Sequence, residues 1–163
     1  MKPIKILNKL NESMKLDGID DFFYNKGLKI AKSICEKNKT LKCCKQVCEA
    51  VEEASGGIGE CKTISLAVFK QGEPYPYMNH YVLSVIGNDG KNYIVDYTSK
   101  QFEGSVSPED CNVSVATPHN GVWYEGEMSP KYNTVSEQIN NFRNGNATGP
   151  VVIYTNIGID QLN

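Results

Sequence analysis

The chain has 163 residues and little of the features that settle a protein's class at once. No apolar run reaches the roughly 20 residues of a membrane-spanning helix. The opening Met1-Lys2-Pro3-Ile4-Lys5 lacks the long apolar stretch of a signal peptide. The protein is therefore expected in the cytoplasm, or delivered into a target cell's cytosol by a dedicated machine. Lys and Arg number 17 against 19 Asp and Glu, so no basic stripe argues for nucleic acid. Neither nucleic acid nor a membrane is expected as a partner. Six Cys (Cys35, Cys43, Cys44, Cys48, Cys61 and Cys111) are too few and too unevenly spaced for a disulfide scaffold. They read as reduced thiols. Histidine is scarcer still, with His80 and His119 alone. The length suits one domain with its own core and is too short for two.

Hydrophobic spacing orders the chain. Ile6, Leu7, Leu10 and Met14 predict a helix over 4–16. Ile19, Phe23, Ile30 and Ile34 predict a second, with Gly27 as its weak point. A third runs from about Leu41 to Ala54, with Thr40 as N-cap and Gly56-Gly57 as its stop. Lys62 to Lys70 is a strand, and the Pro- and Tyr-rich Gln71 to Met78 is a loop. Later signals are weaker. They are short strands at 112–117, at 122–124 and at 151–155, with a turn over Pro118-His119-Asn120-Gly121. A helix opens on the capping-box spacing of Thr134 and Glu137. Helices followed by mostly antiparallel strands make the expected class α+β. The expected division of the single domain 1–163 is an N-terminal helical segment over 1–39, a core over 40–102, and C-terminal strands and helix over 103–163.

The stretch from Asn79 to Thr98 carries the most information. Two apolar runs flank Asn88-Asp89-Gly90, the strongest hairpin signal in the sequence. A two-residue turn would put His80 and Asp96 on opposite faces. A three-residue loop with Gly90 in the left-handed conformation pairs Gly87 with Lys91 and brings His80 and Asp96 to one face. The second register is expected, because the first leaves Asp96 in an apolar layer without a partner.

A His beside an Asp is the base and orienter of a triad that still needs a nucleophile. Cys43 and Cys44 open the third helix, where the helix dipole favours a thiolate. Val47, Cys48, Val51 and Ala54 lie at +3, +4, +7 and +10 from Cys44, which places Cys44 on the buried stripe. Cys43 fits that stripe less well and is the alternative nucleophile.

A Cys opening a helix, then a strand, then a strand beginning Asn79-His80, then one ending in Asp96, resembles the papain-like and transglutaminase-like cysteine hydrolase superfamily. The text Asn79-His80-Tyr81-Val82, Asp89 to Thr98 and Gln101-Phe102 is similar to bacterial papain-fold toxins and protein-glutaminase-like deamidases. The likeness covers about Thr40 to Phe102, and the doubled Cys departs from it. It implies a helix carrying the nucleophile, packed on a mainly antiparallel sheet. It implies cysteine-dependent hydrolysis of a protein amide, by Gln deamidation or peptide cleavage, with Cys44, His80 and Asp96 catalytic. It further implies a toxin or effector acting on a protein substrate, with a cognate immunity protein as second partner, and no cofactor or metal. Asn38, six residues before Cys44, matches the spacing of that family's oxyanion-hole Gln. Tyr75, Tyr77 and Asn79, just before His80, are the candidate substrate-binding residues.

Plainer readings stand beside this one. Free Cys is commonly a core residue. His80 could cap a strand, and His119 sits in a turn that water reaches. Adjacent Cys43 and Cys44 with Cys48 and Cys61 lack usual zinc-ligand spacing. The alternatives are an inactive partner-binding module on the same scaffold, or an acyltransferase of transglutaminase type.

Overall fold

The computed structural model describes residues 18–146 and 148–156. The helix expected over 4–16 lies outside them. The chain from Ile19 to Asn38 forms two helices, α1 (Asp21–Tyr24) and α2 (Lys26–Asn38). The break falls at Asn25, whose backbone (φ −114°, ψ −87°) is not helical. Gly27 is required for packing. A Cβ there would collide with the Tyr97 hydroxyl, which donates a 2.7 Å hydrogen bond to the Phe23 carbonyl. Lys39, in the left-handed conformation, ends α2.

Helix α3 (Cys44–Ser55) begins later than its periodicity predicts. Cys43, not Thr40, is the N-cap, and the Thr40 hydroxyl instead accepts from Lys42 N–H in the preceding turn. Val47, Cys48 and Val51 are buried as expected; Ser55 takes the last buried position while Ala54 is only half-buried.

Six strands follow: β1 (Lys62–Lys70), β2 (Met78–Ile86), β3 (Asn92–Asp96), β4 (Ser114–His119), β5 (Val122–Glu125) and β6 (Val152–Thr155), with α4 (Val135–Arg143) between the last two. Thr134 caps α4 by accepting from Glu137 N–H at 3.1 Å. Each strand pairs antiparallel with the next, and β6 returns to pair with β1, so the sheet closes into a barrel. This overturns the expected papain-like or transglutaminase-like core. The sheet is not a surface with a helix laid on one face. It has an inside and an outside, and both are apolar.

Leu66, Val68, Val82, Ile94, Ala116, Trp123, Val152 and Tyr154, with Phe102, form the buried cluster of the interior. The alternate residues Leu83, Val85, Tyr93 and Val95 pack outward under α1, α2 and α3. Phe69, Val122, Tyr124 and Ile153 pack outward under α4. With helices on two sides, strand β6 is buried at all four positions. By strand parity His80 lies with Val82, and Asp96 with Ile94, on the interior face. None of the helices among the described residues is long and apolar enough to cross a membrane.

Candidate active site

The β2–β3 hairpin has the three-residue loop. Gly87 N–H donates to the Lys91 carbonyl at 2.9 Å, and Ile86 opposes Asn92. Gly90 has φ +79°, open to glycine and strained for other residues. The Asp89 carboxylate secures the loop by accepting from Lys91 N–H at 3.0 Å and from the Tyr93 hydroxyl at 2.5 Å. In this register His80 and Asp96 meet on one face. His80 Nε2 lies 2.8 Å from Asp96 Oδ2, and both side chains are buried.

Asp96 is fully engaged. Oδ2 also accepts from the Tyr154 hydroxyl at 2.8 Å. Oδ1 accepts from the Thr98 backbone N–H at 2.9 Å and the Thr98 hydroxyl at 3.2 Å. Burial pushes the carboxyl up, but His80, Thr98 and Tyr154 outweigh it and hold Asp96 below its ordinary range. The His80 ring is fixed by Phe102, edge-on at 4.8 Å, and by Tyr154, stacked at 6.5 Å. Burial opposes the imidazolium, yet the Asp96 carboxylate, aided by Cys44, raises His80 to about 10.

The other ring nitrogen, Nδ1, is buried and has no hydrogen bond. The half-buried thiol of Cys44, the first residue of α3, acts on this ring without a hydrogen bond of ordinary geometry. Burial raises the Cys44 thiol, but His80 and the Tyr81 backbone N–H pull it below its ordinary value. The N–H groups of Cys44, Lys45 and Gln46 precede the first intrahelical bond, from Val47 N–H to the Cys43 carbonyl, and Cys43 supplies no side-chain cap.

Cys43, one residue away, is in a different environment. Its sulfur lies 3.5 Å from Cys35 Sγ and 3.5 Å from the Thr40 carbonyl. Burial and the Cys35 thiol push it up to about 12. His80 thus influences the thiol of Cys44, whereas the causes that shift Cys43 are burial and its neighbouring thiols. All six thiols are free.

Two cavities meet at Cys44. One, of about 490 Å³, is lined by Lys42, Cys44, Tyr77, Met78 and Gln101. The other, of about 600 Å³, is bordered by Asn38, Lys42, Cys44, Lys45, Asn79 and Tyr81 among others. Tyr77 and Asn79 therefore border the site. Tyr75 is exposed and lines neither cavity. Asn38 stands at the rim, but its amide donates to the Ile34 carbonyl at 2.8 Å and to Gln46 Oε1 at 3.2 Å. Those bonds turn it away from the oxyanion role its spacing implied. Gln101 is the side-chain amide on the first cavity, its Nε2 making a long 3.3 Å bond to the Thr98 hydroxyl. Tyr154 was not singled out from sequence, and Thr98 and Phe102 entered there only as part of the stretch that carries the resemblance. Tyr154 lies 58 residues from Asp96, with no local signal connecting them.

No family model matches the chain, and no solved structure matches it. A 97-residue stretch is 32% identical to a protein named "Metalloproteinase" from Tityus obscurus. That stretch is 60% of this chain and covers 25% of the relative's length. Among the described residues, no three His, Cys, Asp or Glu side chains gather as a metal site. His80 is committed to Asp96, and His119 is exposed.

Proposed function

We propose that the protein is a cysteine-dependent amidohydrolase acting on a protein substrate through a thioester. One observation carries the reading: a buried imidazole has one nitrogen held by a carboxylate, and a thiol at a helix start acts on the ring and opens onto two cavities. The argument rests on this trio and needs no particular fold around it.

The thiolate of Cys44 attacks the amide carbonyl carbon, forming the C–S bond and moving the carbonyl π pair onto oxygen. The unbonded N–H groups at the start of α3 face charge of that sign, and the Gln101 amide is the candidate second donor. The oxyanion collapses, the C–N bond breaks, and the imidazolium of His80 gives its proton to the leaving nitrogen. His80 then takes a proton from water, and the resulting hydroxide attacks the thioester. A carboxylic acid is released and the sulfur leaves as thiolate, with the proton back on His80. Asp96 fixes the ring orientation and the tautomer throughout. If the amide is a Gln side chain the product is Glu and ammonia; if it is a peptide bond, two chains. The six free thiols suit work in a reducing cytosol.

The test is mass spectrometry of a protein mixture incubated with wild-type protein or with Cys44→Ser. Gln-to-Glu conversions or new termini that depend on Cys44 support the reading. Identical profiles, or the same products from Cys44→Ser, refute it.

A further inference from the structure

Cys44, Lys42 and Met78 line both cavities, so the two form one groove passing across the nucleophile. A carbonyl on Cys44 has open groove on either side, the shape for a chain that continues in both directions. The two sides differ in chemistry. Tyr77, 55% exposed, lines only the first cavity, next to the shared Met78, 40% exposed. Tyr77 is held edge-on by Phe102 at 5.7 Å, with Lys70 Nζ 4.9 Å over its ring. The second cavity adds Lys45 to the shared Lys42, both exposed, among the amides of Asn38, Gln46 and Asn79. Lys45 Nζ lies 5.6 Å over the Tyr81 ring, which holds its charge at the groove wall. Glu49 is the one acidic residue on that wall, so two cations face one anion.

Building on the proposed hydrolase, we infer that Cys44 takes an internal amide of an extended polypeptide, with an acidic side chain of that polypeptide seated against Lys42 and Lys45. A bulky apolar side chain sits toward the other cavity, against Tyr77. The charge favours a carboxylate, and covering the exposed Tyr77 ring with an apolar side chain is favourable.

The experiment digests a defined peptide library with wild-type protein and with the Lys42→Glu/Lys45→Glu double variant, reading products by mass spectrometry. Iodoacetamide labelling of Cys44 serves as the control that the variant's site is intact, and Lys45→Gln is the milder variant should the double one misfold. Wild-type products should be internal, with Asp or Glu enriched about fivefold on one side of the reacting amide, the upper range for an exposed ion pair. The double variant should lose that preference and favour Lys or Arg there; Lys45→Gln should weaken it. Cys44-dependent products with no acidic preference, with a preference unchanged in the variants, or confined to chain ends would overturn the inference and leave the hydrolase standing. A library yielding no Cys44-dependent product would remove both.

Discussion

The β2–β3 and β4–β5 hairpins use the same device, and each carries one of the two histidines. In both, positive-φ residues reverse the chain: Gly90 at +79° in the first, Asn120 at +48° and Gly121 at +78° in the second. His119 is the last residue before the second turn, paired with Val122, and is exposed. His80 lies near the start of β2, at the opposite end from its turn, and is fully buried. The return strand there ends in Asp96, and β6 brings Tyr154 across the interior. The contrast shows that position along the hairpin decides what a histidine becomes. A tip leaves the ring in water. The far end of a closed barrel desolvates it, and only a paired carboxylate makes that burial affordable.

The largest break in this comparison comes from Asp96. Asp96→Ala leaves an uncompensated imidazolium and an unpaired Tyr154 hydroxyl, and should cost about 3–5 kcal/mol in urea unfolding. Asp96→Asn is nearly isosteric and should keep the fold, while lowering the proposed amide hydrolysis by about 10⁴, the size of the analogous change in a serine triad.

The pH dependence of stability tests the buried histidine next. His80 is raised from 6.5 to about 10 in the folded protein. Its contribution is therefore complete below about pH 6.5 and lost as pH rises through about 10. Asp96 is lowered from 3.8, so its contribution is present above that value and lost as pH falls through the folded value. Urea titrations across pH should show stability falling between pH 6.5 and 10, and His80→Gln should flatten that slope. An unchanged slope in His80→Gln would show that the alkaline loss belongs to other groups.

The turns themselves should matter modestly and alike. Gly90→Ala and Gly121→Ala each force an L residue to positive φ, at about 1–2 kcal/mol. Neither should change the reactivity of Cys44, since both lie at hairpin tips. At the small end, His119→Ala should shift stability by no more than about 0.5 kcal/mol and leave hydrolysis unchanged. A loss of activity in His119→Ala would give the second histidine a role that its exposed position denies.

What could be read from sequence was local. The three-residue loop follows from Asn88-Asp89-Gly90 together with the need to give Asp96 a partner, and the buried stripe of Val47, Cys48 and Val51 follows from helical spacing. The closure of the barrel was not legible. It depends on β6 pairing with β1, Thr155 against Ala67, across most of the chain. The four buried residues in a row from Val152 to Thr155 are the trace of that closure, since an edge strand would leave one face wet. Asn38 was misread because spacing fixes how far a residue is along the chain, not which way its amide turns. Tyr154 could not be found, because its partner Asp96 lies on a strand that is not its neighbour.

The most direct test of the proposed thiolate–imidazolium pair is the pH dependence of iodoacetamide labelling, resolved by cysteine. Cys44 should label fastest below pH 7, because His80 and the Tyr81 N–H hold its thiol below the ordinary value, while Cys43, at about 12, lags. In His80→Ala the Cys44 rate at that pH should fall to that of an ordinary thiol. Equal labelling of Cys43 and Cys44 in the wild type, or a Cys44 rate indifferent to His80→Ala, would contradict the site.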